Sequence, residues 1–164
     1  MTALQYRAVV TREGRTSVAE FPDCPGCHTQ AGPREDLGDR AREALEGWLE
    51  AHLVLGRVPP LPSPTPRRVP PGRRTMMVPV PAPLAVRIQL RAARHLAGLS
   101  QAALARAVGV RQQQIAGLES PDANITLGTL LRVADALGQD VAIAFSARPE
   151  ARGPRSRRAV RHEG

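Results

Sequence analysis

Gly98-Leu-Ser-Gln-Ala-Ala-Leu-Ala-Arg-Ala-Val-Gly-Val110, followed after Arg111 by Gln112-Gln-Gln-Ile-Ala-Gly-Leu-Glu119, decides how the second half of this chain folds. Ser100 is a strong N-cap, since its hydroxyl can take one of the orphan N–H groups of a helix running from Gln101 to Val108. Gly109 can end that helix in a tight turn at positive φ. A second short helix then spans about Gln112 to Leu118. Leu104, Ala105 and Val108 on the first helix face Ile115 and Leu118 on the second, which leaves Arg111, Gln112, Gln113 and Gln114 at an exposed helix start. Glutamine amides can donate to and accept from adenine edges, and arginine can grip guanine or phosphate.

The flanking segments extend the pattern. Pro83 opens a helix that runs to about Ala97, and Pro121-Asp-Ala-Asn is a loop. Thr126 caps a further helix ending at Leu137, with Gly138 just beyond it. Two short helices joined by Gly109-Val110 within such a bundle are the arrangement of a helix-turn-helix. Asp140 to Ser146 alternates and reads as a terminal strand. It has no partner within its own domain, so we expect it to pair with a symmetry mate.

Together with Thr126-Leu-x-Thr-Leu-Leu-x-Val-Ala-Asp-Ala-Leu-Gly138, these stretches resemble the Xre/Cro-type helix-turn-helix of phage repressors over about 55 residues. The resemblance implies that Gln101 touches the DNA backbone and that Gln112, Gln113 and Gln114 include the base readers. Asn124, in the loop that follows, is also expected to contact DNA. Arg94 and Glu119 fall where the family pairs a first-helix arginine with the glutamate ending the recognition helix, a scaffold element. Arg111 departs from the usual Ser or Thr cap, which implies a phosphate contact and a weaker cap. Gly117 stands where many relatives carry another reader.

The N-terminal part has a different rhythm. Leu4, Tyr6, Ala8 and Val10 alternate with Gln5, Arg7 and Val9, the period of a strand. Residues 11–15 form a plausible hairpin turn around Gly14, and residues 16–21 return as a second strand. A loop with two prolines and a glycine leads into a short strand from Cys27 to Ala31. Gly32-Pro33 is expected to open a helix with Glu35 and Asp36 in its first turn. Leu37, Ala41, Ala44, Leu45, Trp48, Leu49 and Leu53 give that helix one apolar face, which Gly56 ends. Ten of the residues 59–83 are proline. The beginning of this stretch reads as a stiff, solvated connector. Thr75-Met-Met-Val-Pro-Val80 reads as a strand added at a sheet edge, because Pro79 fits poorly at a centre.

Phe21-Pro-Asp-Cys-Pro-Gly-Cys-His-Thr-Gln-Ala-Gly32, after Tyr6-Arg-Ala-Val-Val and before an Ala- and Glu-rich helix, resembles the signature of the HicB antitoxin domain. That resemblance implies a truncated ribonuclease-H-like fold of three strands, a helix and a fourth strand, without a catalytic carboxylate set. It implies a job as well, the binding and blocking of a small HicA-type toxin that cleaves RNA.

Charge is distributed unevenly. Residues 1–57 hold 7 arginines and 9 carboxylates; residues 58–83 hold 4 arginines and no acid. Residues 84–147 hold 6 against 4, and residues 148–164 hold 6 against 2, within a total of +8. A mildly acidic start followed by basic segments favours a nucleic-acid contact in the second half. It also gives Glu20, Asp23, Asp36 and Asp39 a use, as charges that attract a basic RNA-binding toxin. All 23 basic residues are arginine, which excludes chemistry needing a lysine. Cys24-Pro-Gly-Cys27 with His28 offers three soft ligands where a structural zinc site needs four. His28, His52, His95 and His162 are scattered. No catalytic residue, metal or cofactor is therefore expected. Neither a secretory leader nor a membrane span is apparent, and a cytoplasmic location is expected.

The expected architecture is α+β. Residues 1–58 with a strand at 74–81 form a partial ribonuclease-H-like ββ(β)αβ toxin-binding domain, and residues 59–73 a Pro/Arg-rich linker. Residues 82–147 form an all-α helix-turn-helix domain with a C-terminal dimerising strand, and residues 148–164 an Arg-rich disordered tail. The expected function is an antitoxin that neutralises a HicA-type toxin and represses its own operon at a palindromic operator. Its partners would be that toxin, operator DNA and a second copy through the C-terminal domain, with a dimer of dimers possible and no membrane. The alternative is a stand-alone repressor with an N-terminal ligand-sensing domain.

Overall fold

The computed structural model describes residues 4–64, 69–120, 123 and 125–143. Asn124 and the C-terminal tail lie outside the described residues, as do 144–146 of the expected terminal strand. Residues 140–143 carry no strand.

The chain opens with β1 (Gln5–Glu13), a turn at Gly14 (φ 60°), and β2 (Thr16–Glu20). β3 (His28–Ala31), α1 (Leu37–Val54) and β4 (Arg74–Pro79) follow. The sheet runs β3-β2-β1-β4 with every neighbouring pair antiparallel. β4 is an edge strand, which accommodates the missing N–H of Pro79. The alternation in β1 sends Tyr6, Ala8 and Val10 into the core, where they meet the buried face of α1, namely Ala41, Leu45, Leu49 and Leu53. Each large side chain fully buried here contributes about 1.5–3 kcal/mol relative to exposure. Trp48 is only half-buried at the edge of this core, with its ring stacked on His52 at 3.7 Å between centroids.

Two expectations need correction. The helix does not open at Gly32-Pro33. Those residues form a turn in which Glu35 takes the Gly32 N–H at 2.8 Å. Asp36 is the cap, accepting from the N–H groups of Gly38 (2.7 Å) and Asp39 (3.1 Å). An Asp at the N-cap satisfies orphan donors that a proline one turn earlier cannot. The proline-rich segment, in turn, is not freely solvated at its start. Pro59 is buried, the Tyr6 hydroxyl donates to the Pro60 carbonyl at 2.8 Å, and the Ser63 N–H donates to Asp23 at 3.1 Å. A buried phenol needs a hydrogen-bond partner, and the connector supplies it. The segment joins α1 to β4, so it lies within the N-terminal unit.

From β4 the chain passes directly into α2 (Ala82–Leu96), then α3 (Gln101–Val108), α4 (Gln112–Leu118) and α5 (Leu127–Ala136). Ser100 and Thr126 cap α3 and α5 through their hydroxyls, and Gly109 ends α3 at φ 73°. Leu90, Leu104, Ala105, Ile115, Leu118 and Val133 form a second core. α2 serves both cores, because Leu84, Ala85 and Ile88 pack into the first and Leu90 into the second. A Cβ on Gly109 would meet nothing within 4 Å, so a substitution there strains the backbone alone. Gly109→Ala should cost about 1–2 kcal/mol, the left-handed penalty of an L-residue, read as a lowered unfolding midpoint in urea. An unchanged midpoint would mean that the turn relaxes out of the left-handed region.

Candidate nucleic-acid interface

Besides the apolar core, a buried ionic cluster at the end of α4 ties α2, α3 and α4 together. Glu119, directly after α4, is 1% exposed. Arg94 grips it with two bonds, Nε to Oε1 at 2.6 Å and Nη2 to Oε2 at 2.9 Å. Arg91 adds Nε to Oε2 at 3.1 Å, and the Gln101 amide donates to the same oxygen at 3.0 Å. Burial by itself raises the carboxyl's pKa. Hydrogen bonds from Arg94 and Gln101, the Arg94 charge and the Arg91 bond outweigh it, so Glu119 is held below its ordinary range. A buried carboxylate is tolerable only with its lone pairs filled in this way.

With its far end anchored, α4 turns its first residues outward. Gln112 and Gln113 are exposed and make no side-chain hydrogen bond among the described residues. Gln114 is also exposed, but its Oε1 accepts the Arg111 N–H at 2.9 Å. An arginine side chain has no acceptor, so Arg111 cannot cap α4 through its own side chain and Gln114 closes the helix start instead. Arg111 itself is exposed beside that start. Gln101, expected to reach a DNA backbone, has its amide turned inward onto Glu119.

The four carboxylates expected to attract a toxin are not brought into one group. Glu20 and Asp23 line a cleft of about 490 Å³ together with Arg7, His28 and Arg73. Asp36 and Asp39 are not part of its lining; Asp36 caps α1, and Asp39 pairs with Arg42 at 3.0 Å. The loop between β2 and β3 folds onto itself. Phe21 donates to the Cys27 carbonyl at 3.1 Å, Cys24 to Phe21 at 2.9 Å and Cys27 to Cys24 at 2.9 Å, while Gly26 takes φ 84°. Its two thiols point into the core. Burial pushes Cys24 up to about 12 and Cys27 up to about 11, so both are neutral thiols that pack rather than react.

Sequence reasoning missed Arg91, whose guanidinium lies between Glu119 and the end of α1. The signal was there, since Arg91 and Arg94 are spaced i, i+3 on one face of α2. The Tyr6 bond to Pro60 had no such signal.

Among known proteins, residues 90–143 match the family described as helix-turn-helix. Over 33 residues the chain is 48% identical to a UPF0150 protein of Archaeoglobus fulgidus, a stretch that is 20% of this chain. That match spans about half of the relative's length, 48%. A solved chain from a HicA3 and HicB3 toxin-antitoxin complex shares 24% identity over 48% of this chain and 99% of that one, with a TM-score of 0.37. Among the described residues, no helix is long and apolar enough to cross a membrane.

Proposed function

We propose that this chain is an antitoxin and autorepressor. Its C-terminal helix-turn-helix binds a palindromic operator ahead of its own operon. Its N-terminal unit, which we read as a partial ribonuclease-H-like domain, covers and neutralises a HicA-type mRNA-cleaving toxin. The observation that carries the DNA half is the pair of exposed, uncommitted amides of Gln112 and Gln113 on a helix whose opposite end is locked by Glu119. The toxin half is supported by the Phe21 to Gly32 signature, closed into a compact loop by its own backbone bonds. Dimerisation through the C-terminal domain is supported by Leu127 and Leu131, exposed by 53% and 49% one turn apart on α5, and by Ile143 at 59%.

Co-expression with the product of the adjacent small reading frame tests the proposal. We expect that product to arrest growth alone, and this chain to restore growth and co-purify with it. A harmless neighbour that forms no complex would overturn the toxin half. The cleft beside the signature loop favours one other reading, a repressor whose N-terminal unit holds a small polar ligand between Arg7, Arg73 and Glu20.

A further inference from the structure

We propose that Arg91 is a positioning residue: it fastens the end of the DNA-facing helix α4 to the C-terminus of α1, so that the two halves of the chain move as one body. Arg91 is 7% exposed and uses its guanidinium in two directions. Nε reaches Glu119 Oε2 at 3.1 Å, whereas Nη1 donates to the carbonyls of Leu53 (2.8 Å) and Arg57 (3.1 Å). Leu53 lies in the last turn of α1, where the helix dipole favours a cation, and Arg57 follows three residues after the helix ends. One turn earlier on α2, Arg87 faces Glu50 of α1 at 3.5 Å. The carboxylate and the carbonyls are held from two different nitrogens of the planar fork, Nε and Nη1, whereas the three donors of an ammonium all sit on one nitrogen.

Arg94 does a different job, because its partners Glu119 and Leu99 belong to the helix-turn-helix alone. Loss of Arg94 loosens one domain, whereas loss of Arg91 removes a polar link between two. A partner that shifts the end of α1 would move the end of α4, and DNA held by α4 would bias α1 to the same extent. This functional consequence rests on the DNA-binding reading above; the mechanical link does not.

Hydrogen exchange on the full-length protein separates the two. Leu45 is fully buried in the N-terminal core on α1, so Leu45→Val loosens that core without touching the second one. With Arg91 present, we expect Leu45→Val to speed exchange of residues 112–118 by about fivefold or more. In an Arg91→Met background we expect the same change to speed it by less than about twofold. Equal effects in both backgrounds would overturn the proposal, because the shared helix α2 would then carry the coupling. So would an α4 indifferent to Leu45→Val in the parent chain. If Arg91→Met does not fold, Arg91→Lys replaces it in the same comparison, since it keeps a charge but has no second nitrogen with which to hold Glu119 and the two carbonyls from separate positions. No DNA or toxin is present, so failure to bind either leaves this result standing, and the reverse holds too.

Discussion

Replacement of Glu119 by methionine should be among the most destabilising single changes in this protein. Arg94 would lose its two carboxylate bonds and Arg91 one, leaving two buried guanidinium groups without a counter-charge. Breaking a buried pair from one side costs about 3–5 kcal/mol. That is a large share of the stability of a small domain, typically about 5–15 kcal/mol. Urea unfolding at neutral pH should show the midpoint falling sharply, and Arg94→Met together with Glu119→Met should recover part of the loss. A midpoint within the error of the parent would show that water reaches the cluster and solvates the arginines.

The same carboxylate predicts a pH dependence. Its folded pKa lies below the ordinary value of 4.5, so the unfolded chain binds the proton more readily than the folded one. The stabilisation is therefore complete above the unfolded pKa and disappears as pH falls through the folded one. Acid unfolding of the parent should include this loss, and the Glu119→Met protein should lack that component. Equal acid sensitivity in both proteins would place the responsible carboxylates elsewhere.

The second large effect concerns reading rather than folding. Changing Gln112 and Gln113 together to alanine removes two exposed amides that make no side-chain hydrogen bond among the described residues, so thermal unfolding should hardly change. Each good base pairing contributes about 1–3 kcal/mol of discrimination, and each 1.4 kcal/mol is about tenfold. Affinity for the duplex upstream of the chain's own reading frame should therefore fall by roughly 10²-fold or more, while affinity for a scrambled duplex stays the same. Gln114→Ala should behave in the opposite way, weakening the α4 cap and lowering stability. If the double variant keeps the parent's ratio of specific to scrambled binding, the readers lie elsewhere.

Local chemistry explains why so much of this fold is legible in one sequence. Strand alternation at Tyr6, Ala8 and Val10, hydroxyl caps at Ser100 and Thr126, and glycines after helices at Gly109 and Gly138 each act within a few residues. The onset of α1 was harder. Gly32-Pro33 and Asp36 are both plausible helix starts, and only the hydrogen bonds to Gly38 and Asp39 distinguish them. The roles of the three glutamines were equally hidden. Their identity says that they can read bases, but the position of Gln114 Oε1 on the Arg111 N–H separates a cap from two free amides.

By itself, then, the sequence determined the elements from β1 to α5, their order, the buried faces and the short turn that makes a helix-turn-helix, because propensity, capping and periodicity are properties of neighbours along the chain. It determined neither the onset of α1 nor the strand expected from residue 140. Tertiary structure alone decided that Arg91 lies between Glu119 and the carbonyls of Leu53 and Arg57, that Gln101 turns inward, and that the Pro60 carbonyl takes the Tyr6 hydroxyl. Each of those contacts joins residues 18 to 54 positions apart. Such contacts arise from the need to satisfy a buried charge or hydroxyl, and that need exists only once the surrounding chain has excluded water.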